Sequence, residues 1–169
     1  MLLDMYPKGQ LDEQPYDAGR NPMEIASWFD SGNYTISKNR RYGNLWIQGG
    51  PRARVFFSDT PEKAPALNKI PLVKWDRRFA YVSSTHQILP TKLHDVFDFE
   101  GDSKASGVLL HTKFLHIVVD KSAEEKARRE HFNNFALYED YYDGLIANPR
   151  LWCARSHRYA GWKQLEALG

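Results

Sequence analysis

Cysteine is nearly absent. Cys153 stands alone among 169 residues, which excludes an internal disulfide and fits a reducing, cytoplasmic compartment. No apolar run approaches the ~18 residues of a membrane span, so none is expected. Met1–Met5 carries neither a basic segment nor a long apolar stretch, so no signal-peptide pattern is visible. An excess of one charge is missing too. Lys and Arg number 23 and Asp and Glu 21, and a net charge of +2 does not point to nucleic acid. There is no repeat, no low-complexity tract, no Gly-x-Gly-x-x-Gly or Walker loop, and no serine nucleophile elbow.

What is present suits one domain over 1–169 with a real core: 42% hydrophobic and 26% charged residues. Aromatics reach 14%, with five Trp and nine Tyr, a content shared by sugar-binding surfaces and plain cores. The pattern predicts strands at 1–6, 45–47, 53–57 and 108–119, and a hairpin pairing 71–75 with 79–83. Asn21-Pro22 opens a helical turn, and a short helix is expected over 160–168. One long helix is expected at 123–146, with Ser122 and Glu125 as a capping box and Asn148-Pro149 as its stop. The fold class expected is mixed α/β, α+β as an isolated piece, with a mixed, mainly antiparallel sheet.

The chemistry-bearing residues lie at strand ends. His111 closes the apolar run Val108-Leu109-Leu110, and Lys113, two residues on, projects to the same side. A neutral imidazole there can ligate a divalent metal, and an ammonium can hold a phosphate oxygen. A half-buried histidine bonded to backbone, beside an edge lysine, fits the same residues. His86 follows Ser83-Ser84-Thr85, where hydroxyls bind sugars or satisfy a turn. Arg52 and Arg54 would share one face of a strand and grip an anion, or guard a solvated edge. Lys69, Lys74 and Trp75 flank the run 71–75. His131 falls on the apolar stripe of the long helix and reads as a core residue. Asp30, Asp59, Asp76 and Glu100 lie in turns, and no spacing singles out a catalytic base.

The stretches "LLDMYPKG", "WFDSGNY", "LWIQGGPRARVFF", "ALNKIPLVKW", "YVSSTHQILP" and "GVLLHTKFL…KSAEEKARREHF", in this order, resemble the C-terminal part of bacterial family 2-type glycosyltransferases of the GT-A fold. The resemblance implies transfer of a sugar from a nucleotide sugar to a hydroxyl on a glycan or other acceptor. It implies His111 as a ligand to Mn²⁺ or Mg²⁺ and Lys113 as a pyrophosphate contact. It places Arg52, Arg54, Lys69, Trp75 and His86 at the donor or acceptor site. The family's nucleotide-binding half and its Asp-x-Asp stretch precede the segment that "LLDMYPKG" resembles, so the chain is expected to be the acceptor-side part, inactive alone. Two other readings stay open. One is a metal-independent carbohydrate- or anion-binding module. The other is an interaction domain that forms homo-oligomers through an exposed sheet edge.

Overall fold

A computed structural model describes residues 1–40, 43–94, 107–128 and 135–168. The architecture is mixed α and β. Strand β1, Leu2–Asp4, is buried at every position and pairs in parallel with Leu109–His111. Two short apolar runs, Leu-Leu-Asp and Leu-Leu-His, therefore lie side by side, with Leu2 opposite Leu109 and Asp4 opposite His111. The other edge of β1 is stitched by single bonds. The Leu2 amide donates to the Leu67 carbonyl at 2.7 Å, and the Leu67 amide to the Ile47 carbonyl at 2.7 Å.

Numbered along the chain, β2 is Trp28–Asp30, β3 Tyr34–Lys38, β4 Leu45–Gly49, β5 Ala80–Ser83, β6 Gln87–Leu89, β7 the Leu109–His111 strand, and β8 Ser156–Arg158. The pairs β2–β8, β3–β4 and β5–β6 are antiparallel. A bridge between Tyr6 and Trp28 joins the continuation of β1 to β2. Among the described residues the strands thus form small pairs linked by isolated bonds, without the continuous sheet that the glycosyltransferase resemblance implies. Gly49 ends β4 with φ at +140°, and a Cβ there would lie 2.1 Å from the Asn33 carbonyl oxygen. The close backbone approach expected of the glycine pair is the hairpin's own return.

The α-helices among the described residues are α1, Ile117–Arg128; α2, Phe135–Ile146; and α3, Trp162–Leu168. The expectation of one long helix over 123–146 is corrected. A straight helix would separate Lys126 and Asp143 by about 25 Å. They form an ion pair instead, because α1 and α2 pack side by side. Ser122 is no cap either. It sits buried inside α1, where its hydroxyl donates to the Val118 carbonyl at 2.6 Å. The strand expected over 108–119 stops at His111. Phe114 and Leu115 turn inward, and Val118 enters the core from the first turn of α1.

The other two departures have equally local causes. Residues 71–75 form no strand: Leu72 is 90% exposed, and the hairpin instead pairs β5 with β6 around Ser84 at φ +48°. Residues Arg52–Phe56 form a π-helical turn, not a strand. Phe56 and Phe57 from this turn pack on Tyr141 of α2, with ring centroids 5.0 and 5.8 Å away, beside the buried Leu145 and Leu151.

Candidate functional site

The parallel register of β1 and β7 sets Asp4 beside His111. The carboxylate Oδ1 lies 2.7 Å from His111 Nδ1. Arg52 reaches the same carboxylate from the π-helical turn, with Nε 2.6 Å from Oδ2 and Nη2 2.8 Å from Oδ1. Burial pushes the Asp4 carboxyl up, but the Arg52 charge and the His111 and Arg52 hydrogen bonds outweigh it and hold the pKa below the usual range. Burial pulls Arg52 down, and the Asp4 charge more than restores it. Asp4 is therefore an acceptor only and Arg52 a donor only. Arg52 Nη2 also lies 3.1 Å from His111 Nδ1. With the ring proton on Nδ1, His111 donates to Asp4 and Nε2 is the ring's acceptor; with Nδ1 bare, that nitrogen accepts from Arg52 instead.

His111 lines a cleft of about 590 Å³ with Thr112, Lys113, Lys121, Glu125 and Tyr142 among its walls. Lys113 Nζ sits 3.2 Å from the Tyr141 hydroxyl and 4.8 Å from that ring's centre. Burial and the Arg52 charge lower its pKa to about 8, against a partial counter-pull from Asp4. Burial pushes the Tyr141 hydroxyl upward, so it stays neutral. The cleft thus presents an oriented imidazole and an ammonium that titrates near neutrality.

The two arginines do not act together. Residues two apart on a helical turn point to nearly opposite sides. Arg52 goes to Asp4, and Arg54 grips Asp30 at 3.0 and 3.1 Å and the Leu151 carbonyl at 2.6 Å. Asp30 also accepts from the buried Tyr6 hydroxyl, which lies 2.8 Å from the Ser156 hydroxyl. Each guanidinium expected to grip an anion is engaged by an internal carboxylate in this structure, Arg52 by Asp4 and Arg54 by Asp30.

Lys69 and His86 form a separate half-buried patch. His86 Nδ1 lies 2.7 Å from the Asn68 carbonyl oxygen. Burial lowers its pKa first, then the charges of Lys69 and Arg52. Burial and Arg52 also lower Lys69. Trp75 is 62% exposed, stacks on Tyr81 at 6.4 Å and does not line the cleft. His116 accepts from the Tyr16 amide at 2.8 Å, and His131 and Glu100 lie outside the described residues.

Sequence reasoning paired His111 with Lys113 and missed Asp4 and Tyr141. The repeat of Leu-Leu-Asp in Leu-Leu-His is the signal that could have matched Asp4 to His111. No protein-family model, curated protein or solved structure matches the chain. Among the described residues, no three His, Cys, Asp or Glu side chains converge on a point. Mn²⁺ and Mg²⁺ take about six mainly oxygen ligands, and the Asp4 oxygens already accept from Arg52 and His111. Among the described residues, those around His111 do not form the donor set of a resident metal ion.

Proposed function

We propose that the chain is the acceptor-side part of a sugar-transferring enzyme, resembling the C-terminal portion of a GT-A glycosyltransferase, and that the His111 cleft takes the diphosphate end of a nucleotide sugar. The observation that carries this reading is the Asp4–His111 hydrogen bond beside the Lys113 ammonium. When the bond between the anomeric carbon and the diphosphate oxygen breaks, negative charge grows on the leaving phosphate. A partly dehydrated ammonium opposes that charge more strongly than one in bulk water. His111, held by Asp4, offers a fixed Nε2 that accepts a proton or a phosphate hydroxyl. A divalent ion, as the resemblance implies, would take its carboxylate ligands from another segment of the enzyme, and the roles given to His111 and Lys113 do not depend on it.

The test is calorimetric titration with uridine diphosphate. Lys113→Ala is expected to weaken binding by about tenfold or more, since charge-assisted contacts contribute about 1.5–3 kcal/mol. His111→Ala weakens it as well. Equal affinity in wild type and both variants removes the assignment. That both Asp4 oxygens are already engaged by Arg52 and His111 favours one alternative, a metal-independent anion-binding module. Uridine diphosphate binding that is unchanged by EDTA, with no sugar transfer when the chain is joined to a donor-binding half, would select that alternative.

A further inference from the structure

A second cleft, of about 390 Å³, opens where the loop after β1 meets the segment before β8, and its walls include Lys8, Glu13, Glu24, Trp28, Arg150 and Trp152. We propose that it binds a neutral saccharide. As the subsite for a glycan acceptor it rests on the sugar-transfer reading; as a saccharide site it does not.

Three observations carry the proposal. The rings of Trp28 and Trp152 meet edge to face at 90°, with centroids 6.1 Å apart, and form an aromatic corner. Lys8 Nζ stands 5.6 and 5.3 Å from the two ring centres, a flexible side chain that can hydrogen-bond or swing aside. Lys8 and Arg150 face Glu13 and Glu24, and Arg20 from outside the lining holds Glu24 at 2.9 Å, so the walls are strongly polar and of mixed sign. A phosphate or a simple cation gains little from such a mixture. A sugar ring matches it: one apolar C–H face for the indoles and a rim of hydroxyls for the charged groups.

The cleft is also fixed in place. Asn148 Oδ1 accepts from the Leu11 and Asp12 amides at 2.9 and 3.2 Å, tying the Lys8–Glu13 loop to the wall that carries Arg150 and Trp152. Among the described residues the buried Trp152 indole nitrogen finds no hydrogen-bond partner. Asp4, bonded to His111, and Lys8 of this cleft lie four residues apart on one segment, so their Cα atoms are at most about 14 Å apart.

The experiment titrates ¹⁵N-labelled protein with cellobiose, maltose and N,N′-diacetylchitobiose, each to tens of millimolar, and follows the indole N–H signals. At least one disaccharide is expected to move the signals of Trp28 and Trp152 and to leave those of Trp46, Trp75 and Trp162 in place. Trp28→Ala is expected to weaken binding about tenfold. Glu24→Gln, an exposed position outside the core, weakens it severalfold. Failure of all three sugars to move the two signals overturns the proposal, as does binding that both variants leave unchanged. Uridine diphosphate titration of the same samples keeps the two readings apart. Nucleotide binding without sugar binding rejects this site alone, and sugar binding without nucleotide binding rejects the His111 assignment and retains this one.

Discussion

Lys113→Met should make the folded protein more stable while it removes nucleotide binding. The site lowers the Lys113 pKa from 10.5 to about 8, through burial and the Arg52 charge. At ~1.4 kcal/mol for each tenfold change in proton affinity, holding the ammonium charged at neutral pH costs about 3 kcal/mol. Methionine keeps the chain length and apolar stem without the charge. It recovers up to that amount, less the Tyr141 contact at 3.2 Å, which contributes about 1 kcal/mol. The net expectation at pH 7 is a gain of about 1–2 kcal/mol. The sign of the pH dependence follows from the depressed value. Below about 8 the whole cost is present, because the folded lysine is still charged. Between about 8 and 10.5 the unfolded chain holds more protons, so wild-type stability rises and the gap to the variant closes. Urea unfolding of both proteins at pH 7 and pH 10 measures this. A variant less stable at pH 7, or a gap that widens at pH 10, would refute the argument that Lys113 is held at a cost.

Three further expectations follow from the geometry. Asp4→Ala should cost about 3–5 kcal/mol in urea unfolding, because it leaves the Arg52 charge buried and unpaired; a loss under about 1 kcal/mol would mean that water reaches Arg52. The paired Asp4 carboxyl, depressed below its usual value of 3.8, adds stability that is present above that pH and lost as pH falls through the folded value, so Asp4→Ala should show a shallower acid transition than wild type. Gly49→Ala should cost more than about 1 kcal/mol, since its Cβ meets the Asn33 carbonyl oxygen at 2.1 Å; unaltered thermal unfolding would contradict the tight return of the β3–β4 hairpin.

Parts of this molecule are legible in its sequence because the responsible forces are local. The apolar runs ending at Asp4 and His111, the turn opened by Asn21-Pro22 and the helix near the C-terminus all follow from composition over a few residues. His111 and Lys113 stood out because a strand rarely ends an apolar run with two polar side chains on one face. What could not be read is tertiary. Arg52 and Arg54 look like alternating strand residues, and only the buried carboxylates of Asp4 and Asp30, reached from opposite sides, make a helical turn the better arrangement. Ser122 and Glu125 match a capping box, yet burial of Val118 extends α1 toward its N-terminus and leaves Ser122 inside. Trp28 and Trp152 lie far apart in sequence, and their meeting depends on the pairing of β2 with β8.

The most direct test of the central claim is the ring ¹⁵N spectrum of His111, assigned by comparison with His111→Gln, recorded with and without uridine diphosphate. The expected spectrum is that of a ring protonated on Nδ1, held by Asp4, with an Nε2 signal that moves when the nucleotide binds and does not move in Lys113→Ala. A ring protonated on Nε2, or an Nε2 signal indifferent to the nucleotide, would contradict it.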